Sequence, residues 1–257
     1  MKPLLFAAAG LLLTSAPALA QTRTPLTLSG YNQDIIANGT YTASTVGSVT
    51  TNSTTTTVDG QGNVYYQRGY NTGNTALGLP TAAFTSNSNG STTFQLAAAT
   101  ANNVLLLGGG TSGTLTLGTA GKFTALAFLV TGFDGSIPSS YTLNFSTGSA
   151  TTGTFTALDN FDNTPFAIGG FDRARRGTGA FDNNTSNPRL YEVDLTLASG
   201  DIARTLQSIT FGNTAASGNL AVFGVSATAV PEPATWLAGA LLCVGAAWTF
   251  RRHRPLV

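Results

Sequence analysis

Short apolar stretches broken by turn residues are the feature of this sequence that most limits how it can fold. Residues 114–117 and 141–145 alternate apolar and polar side chains, which puts one face of a strand on a core and the other in water. Residues 123–130 are apolar at nearly every position, as in a central strand that is covered on both faces. Because no long stretch between residues 21 and 229 has helical spacing, this part of the chain is expected to fold from strands.

The pattern predicts about a dozen strands without a fixed repeat, which disfavours a propeller or a solenoid. The expected fold class is all-β, an antiparallel β-sandwich of the jelly-roll type. The predicted strands cover residues 34–37, 39–43, 55–58, 63–67, 92–97, 104–107, 114–117, 123–131, 141–146, 153–157, 190–196, 206–211 and 220–228. Residues 38–90 have a weaker core signal, so they are expected to form either an outer hairpin layer or a long mobile excursion.

The charge content excludes several classes of protein. Only 9% of the residues are charged, against about 25% in an ordinary soluble domain. With Lys+Arg 12 and Asp+Glu 11, the chain lacks the basic surface that binds phosphates, and no nucleic-acid partner is expected. The 30 glycines argue against a coiled coil or a helical bundle. A mean hydropathy of +0.14 is too high for a disordered chain.

Residues 1–20 have the parts of a secretory signal peptide. Lys2 gives the charged start, a short apolar run follows, and Ala18 and Ala20 form the small-residue cleavage site before Gln21. The apolar run is too short to span a bilayer. The sequence therefore predicts export from the cytoplasm and a mature chain that begins at Gln21.

A second apolar segment, residues 234–250, lies near the other end and carries no charge. Its length is about the minimum for a membrane-spanning helix. Arg251, Arg252 and Arg254 follow at once, and such a cluster fixes that end on the cytoplasmic side. The sequence predicts one C-terminal transmembrane helix, and a plain membrane anchor is the simplest interpretation.

The residues just before this segment suggest a more specific role. Val230, Pro231, Glu232 and Pro233 stand immediately outside the apolar stretch, and the arrangement is similar to the PEP-CTERM sorting signal of exopolysaccharide-producing Gram-negative bacteria. The resemblance implies that an exosortase, a membrane-embedded cysteine transpeptidase, reads the tail and removes it near the motif. The chain then divides into a signal peptide (1–20), an extracytoplasmic domain (21–229) and a sorting signal (230–257).

A second resemblance covers residues 79–228 and rests on the order and spacing of the strands. This part looks like the galactose-binding-domain-like jelly rolls of carbohydrate-binding modules. The segments that carry the likeness are 79–80, 94–96, 104–107, 113–117, 123–130, 141–145 and 189–195. The resemblance implies a β-sandwich, often with a structural calcium ion, and glycan binding. Residues 21–229 contain no tryptophan, the ring that such modules often use for stacking on sugars.

Catalytic residue types are scarce. The single histidine, His253, and the single cysteine, Cys243, both lie in the predicted tail. The extracytoplasmic domain therefore cannot form a Ser-His-Asp triad, a Cys-His pair or a zinc site built on His or Cys. A glycoside hydrolase needs only two carboxylates, so a polysaccharide-active hydrolase stays open as an alternative. We predict that the protein is not an enzyme.

The densest group of charged residues lies between residues 171 and 194. It brings Asp172, Arg173, Arg175, Arg176 and Arg189 into one short segment. One interpretation is a binding rim in which arginines grip the carboxylates of acidic sugars. The other is a long loop whose ion pairs hold it to the sandwich.

Two further groups within the domain are candidate binding residues. Asp182, Asn184, Glu192 and Asp194 could offer oxygen ligands to calcium, although they do not have EF-hand spacing.

Tyr65, Tyr66 and Arg68 could stack on a sugar and orient one of its polar groups. Strand alternation points the two tyrosines to opposite faces, so at least one of them is expected in the core.

These observations together predict an exported protein of the Gram-negative cell surface or exopolysaccharide matrix, with glycan-binding or adhesive activity. The expected partners are an exosortase, an extracellular polysaccharide and, before processing, the membrane. No cofactor is expected with certainty, and calcium is the one candidate. A structural matrix protein without a discrete ligand is the alternative from a different class.

Overall fold

The computed structural model describes residues 22–39, 56–162, 165–176, 180–183 and 188–231. Within them the secondary structure is almost entirely strand. The strands are β1 Thr24–Pro25, β2 Leu28–Ser29, β3 Ile36–Ala37, β4 Asn63–Tyr66, β5 Phe84–Thr85, β6 Thr93–Phe94, β7 Leu105–Gly108, β8 Ser112–Gly121, β9 Phe123–Phe133, β10 Ile137–Phe145, β11 Thr151–Ala157, β12 Arg173–Arg175, β13 Tyr191–Thr196, β14 Leu206–Asn213 and β15 Asn219–Ala229. One short helix, α1, covers Ser199–Ile202.

Two five-stranded antiparallel sheets form the centre of the molecule. In the first, which we call the inner sheet, the order is β1-β15-β9-β13, and β7 also pairs with β15. In the second, the outer sheet, the order is β11-β10-β14-β8-β2. The longest ladder joins β9 to β15 and sets Phe128 opposite Val225. The prediction of an all-β, sandwich-like fold with antiparallel sheets is confirmed.

An apolar core fills the space between the two sheets. Phe128 of the inner sheet is fully buried, and its ring lies edge-on to that of Phe211 in the outer sheet, with the centroids 5.1 Å apart. Alternate residues of each strand supply the rest of this core, because successive side chains of a strand point to opposite faces. Its buried members include Leu115, Leu117, Leu126, Val130, Leu143, Ile209, Leu220 and Val222.

The opposite face of the inner sheet is covered as well. Ala127, Leu129 and Phe223 point away from the first core and pack under a second apolar cluster. That cluster belongs to a cap layer, which we define as the three-stranded sheet β12-β4-β3 and the β5–β6 pair. The prediction that residues 123–130 form a central strand buried on both faces is confirmed. Of the 38–90 segment, the structure describes residues 38–39 and 56–90. Residues 56–90 supply much of the cap layer.

The outward face of the outer sheet carries small polar side chains in register. Thr152, Thr142, Thr210 and Thr114 lie side by side on four neighbouring strands. The hydroxyls of Thr114 and Thr210 are 2.8 Å apart. None of the five strands of this sheet contains a charged residue.

Several predictions at the level of elements have different outcomes. The strand predicted at residues 55–58 is wrong for 56–58, which the structure shows outside any strand. Within the described part of the chain, no helix has the length and apolar character needed to cross a membrane. The predicted signal peptide, with Ala18, Ala20 and Gln21, lies outside the described residues. So do residues 232–257, which include Glu232, Pro233, Arg251, Arg252 and Arg254.

Replacement of Phe128 by alanine should weaken the fold strongly. Its ring touches Tyr141, Phe155 and Phe211, and truncating a buried phenylalanine costs about 3–5 kcal/mol of unfolding free energy. Urea denaturation of Phe128→Ala beside Thr116→Ala, a change at an exposed position, measures the difference. Equal losses for the two variants would contradict the assignment of Phe128 to the centre of the core.

Candidate functional site

Arg173 lies at the centre of the polar cluster that the sequence pointed to. It begins β12, which pairs with β4 in the cap layer. Its Nη2 is 2.6 Å from Oδ2 of Asp182, and its Nη1 is 3.3 Å from Oδ2 of Asp59. The guanidinium also stacks 4.7 Å from the centre of the Phe161 ring. Two carboxylates and one aromatic face therefore fix this arginine in a single orientation.

A small open cavity of about 190 Å³ lies beside this arginine. We call it the Arg173 pocket. Loops from three parts of the chain meet there: the turn before β4, the turn between β9 and β10, and the segment after β11. The lining residues are Asp59, Gln61, Phe133, Asp134, Asp159, Asn160, Phe161 and Arg173.

Local hydrogen bonds hold Phe161 outward at the rim of the pocket. Asp162 donates its backbone N–H to the carbonyl of Asp159, which closes a four-residue turn. The Asp159 carboxylate accepts hydrogen bonds from the backbone N–H groups of Phe161, at 2.9 Å, and of Gly135, at 2.8 Å. Phe161 is 43% exposed, and no other large apolar side chain within the described ranges is classed as exposed.

The turn opposite Phe161 has an uncommon backbone conformation. Asp134 has a φ of 63° and Gly135 a φ of 116°. Aspartate tolerates the left-handed region better than most residues, and an Asp-Gly pair suits a tight turn with two positive φ values. The turn presents the exposed Asp134 side chain at the mouth of the pocket.

Carboxylates outnumber cations around the pocket. Asp59, Asp134 and Asp159 face one guanidinium, that of Arg173, which Asp59 and Asp182 already engage. An anionic ligand would meet like charge and would have to displace one of these carboxylates. This geometry argues against the prediction that Arg173 grips the carboxylate of an acidic sugar.

Asp172 and Arg189 do not face a ligand, which corrects their assignment as binding residues. Asp172 is fully buried and accepts hydrogen bonds from the Tyr66 hydroxyl, at 2.8 Å, and from the backbone of Asn183. Arg189 is 9% exposed and donates to the carbonyls of Phe161 and Asp162. Both residues hold the loop in place, as the alternative interpretation of this segment expected.

The remaining candidate arginines lie outside the pocket lining. Arg175 and Arg68 are exposed, and Arg176 is half-buried. Arg176 donates its backbone N–H to the carbonyl of Gly62.

Both candidate tyrosines are buried, which corrects the prediction that they stack on a ligand. Tyr65 and Tyr66 have no exposed surface. The two rings do point to opposite faces of β4, but each face is covered: Tyr65 packs on Phe171 and Phe223, and Tyr66 on Phe181. Burial raises the pKa of both phenols well above the ordinary value.

The structure does not bring the predicted calcium ligands together. Asp182 pairs with Arg173, whereas Glu192 and Asp194 lie beside Arg23, whose Nη1 is 2.9 Å from Oδ1 of Asp194. Asn184 lies outside the described residues. Among the residues that are described, no three His, Cys, Asp or Glu side chains form a group that could hold a metal ion.

Sequence reasoning did not recognise that several residues of this pocket lie together. These are Phe161, Asp134, Asp159 and Asn160. A local signal was present, because Phe161 is a large apolar residue inside a run of Asp and Asn that reads as a turn. Because a phenylalanine in such a turn does not belong to the buried face of a strand, its side chain can be exposed to solvent.

Comparison with known proteins gives no family for this chain. No protein-family model matches the sequence. A search of the curated proteins also finds no match.

Asp194 gives the described part of the chain a pH-dependent stability. Its side chain is 51% exposed, and the desolvation of its buried part, together with the charge of Glu192, raises the pKa of its carboxyl above 3.8. A carboxyl with a higher pKa in the folded chain binds its proton more tightly there, so stability rises as the pH falls from neutral through that pKa.

We expect Asp194→Asn to raise the thermal midpoint at neutral pH, because it removes a carboxylate that folding disfavours. The gain should shrink as the pH falls through the raised pKa of Asp194, because the native carboxyl then becomes protonated as well. Thermal unfolding across this pH range checks the effect, with Asp134→Asn as a control for the loss of one negative charge. A gain that stays constant with pH would contradict the assignment.

Proposed function

We propose that this chain is an exported, non-catalytic glycan-binding protein that acts at the cell surface or in the extracellular polysaccharide matrix. The single observation that supports it best is the exposed Phe161 ring, which Arg173 and the turn around Asp159 hold at the mouth of the Arg173 pocket. Sugars offer C–H groups on one face and hydroxyls at the edge, and they suit an aromatic platform surrounded by polar groups.

The charge of the pocket selects among glycans. Asp134 and Asp159 can accept hydrogen bonds from neutral hydroxyls or pair with an ammonium group. A uronic acid would bring a second anion to a site that already has an excess of them. The preferred ligand is therefore a neutral polysaccharide or one that carries free amines.

The strand order supports the finer proposal that the fold is a jelly roll. Eight strands pass from one sheet to the other along the sequence, except for the hairpin β10–β11 within the outer sheet, and give the orders β7-β15-β9-β13 and β8-β14-β10-β11. In each sheet the last of its strands in the sequence pairs with the first, as the long return of a Greek key requires. The galactose-binding-like interpretation of residues 79–228 belongs to the same proposal.

Replacement of Phe161 by alanine should weaken glycan binding about tenfold, because truncating a central aromatic contact costs more than about 1 kcal/mol. Electrophoresis through gels that contain a neutral glucan, chitosan or alginate measures the retardation. We expect the protein to be retarded by glucan or chitosan and not by alginate. Arg173→Ala should reduce retardation as well, while Arg175→Ala, a loss of the same charge at an exposed position outside the pocket lining, should not.

Two outcomes would contradict this proposal. A protein that none of these polymers retards would favour a structural matrix role without a discrete ligand. Release of reducing sugars from the native matrix polymer, with loss of that release in Asp134→Asn or Asp159→Asn, would favour a hydrolase.

We also propose that the C-terminal residues form a sorting signal that an exosortase removes. The last strand ends at Ala229, and the backbone N–H of Val230 still bonds to the carbonyl of Lys122, at 2.9 Å. Pro231 is exposed. The motif thus begins directly after the last strand of the described residues, a position that a membrane-embedded transpeptidase could reach without unfolding the sheets.

Mass spectrometry of the protein recovered from the cell surface tests this proposal. We expect a chain that begins at Gln21 and ends close to Pro231, with residues 234–257 absent. An intact C-terminus through Val257 would contradict removal of the tail and would favour a plain anchor.

A further inference from the structure

We propose that β11, the edge strand of the outer sheet, pairs antiparallel with β11 of a second copy of this chain. β11 is the first strand in the order of that sheet and pairs only with β10. The backbone groups on its other side have no partner within the described residues. An unpaired edge of this kind is a template for another strand. The proposal does not depend on the Arg173 pocket.

The edge strands β1, β2, β7 and β13 are protected in ways that are typical of soluble β-proteins. β13 carries Glu192 and Asp194, and charges on an edge oppose pairing. β1 and β2 are only two residues long each, and β1 ends in Pro25, which has no N–H to donate. On β7, the side-chain amide of Asn32 occupies both backbone groups of Leu106.

β11 has none of these protections. Its seven residues, Thr151–Ala157, include no charge and no proline, and their register with β10 runs without a bulge. Threonine favours strands, but strand propensity alone does not explain why Lys and Glu, which usually guard an exposed edge, are absent.

Apolar side chains lie partly exposed beneath this edge. Phe155 of β11 and Tyr141 of β10 are half-buried on the core side of the outer sheet. Val193 and Leu195 of β13, the edge strand of the facing sheet, are half-buried as well. A second copy added at β11 would cover part of this surface, and burial of apolar area contributes about 25 cal/mol per Å².

The sequence of β11 fits pairing with itself. A two-fold axis at Thr154 sets Thr154 opposite its own copy and Thr152 opposite Thr156, so that uncharged threonines face one another on the outer side. The same register sets Phe155 opposite Gly153. The Tyr141 ring occupies the space that a side chain at Gly153 would fill. No like charges meet in this register, and the two outer sheets join into one.

Disulfide trapping in the full-length exported chain tests this register. The chain has one cysteine, Cys243, so a Cys243→Ser background leaves no native thiol. Directly opposite residues in an antiparallel pair have Cβ atoms about 4.5–5.5 Å apart, close to the distance that a disulfide spans. We expect Thr154→Cys to give a covalent dimer on a non-reducing gel, and Thr152→Cys to cross-link with Thr156→Cys when the two variants are co-expressed.

Thr116→Cys is the matched control, because Thr116 is equally exposed but lies on β8, which has neighbours on both sides there. It should give at least tenfold less dimer than Thr154→Cys. No dimer with Thr154→Cys, or equal amounts from the two positions, would overturn the proposal.

A second test separates pairing from chance collision. Thr154→Lys and Thr154→Glu should each abolish co-capture of two differently tagged copies of the same variant, because like charges would lie opposite each other. Co-expression of the Thr154→Lys variant with the Thr154→Glu variant should restore it. Unchanged co-capture of two copies of the Thr154→Lys variant would also overturn the proposal.

Discussion

Burial of the inner sheet on both faces is the constraint on which the rest of the structure depends. β9 and β15 form its centre, with Phe128 in the core between the sheets and Leu129 and Phe223 under the cap layer. A strand that is buried on both faces cannot hold a charged side chain without a large desolvation cost. Two such strands side by side therefore exclude charged residues from the middle of the inner sheet. The cap layer must therefore supply a second apolar surface, to which Tyr65 contributes through its contacts with Phe171 and Phe223.

The same constraint decides where the charged residues can lie. With β9 and β15 closed to them and the outer sheet free of them, the charged residues of the described ranges collect in the cap layer, the connecting loops, the helix α1 and the edge strand β13. Arg173 shows the consequence. It lies where the cap layer meets the loops at the end of the sheets, and it joins the turn at Asp59 to the segment at Asp182. The Arg173 pocket is thus also a structural junction, and its rigidity follows from the ion pairs that hold the loops.

How much the sequence could predict follows from how each strand meets its surroundings. The long strands β8, β9, β10, β11, β13, β14 and β15 were predicted within a few residues, because alternation or continuous apolarity is a local property of the chain. At least one of Tyr65 and Tyr66 was expected in the core, and both are buried. Alternation shows that the two faces of a strand differ, but it does not show that one of them is exposed to solvent. The partner that covers Tyr66 includes Phe181, more than a hundred residues away in the sequence. Phe161 was missed since its exposure depends on hydrogen bonds to Asp159 that only the folded turn makes.

Two surfaces of the described residues differ in character, and the placement of charged residues explains each of them. One is the Arg173 pocket, where three carboxylates and one aromatic ring fit the proposed preference for a neutral or amine-bearing sugar over an acidic one. The other is the uncharged threonine face of the outer sheet, which ends at the unguarded edge of β11. The pocket residues Asp159, Asn160 and Phe161 follow the end of β11, but none of them belongs to that strand. If both proposals hold, a pair of copies joined through β11 would present two binding pockets to one polymer. Linking two weak sites in this way raises avidity without any new contact, so the proposed pairing would strengthen the proposed glycan binding.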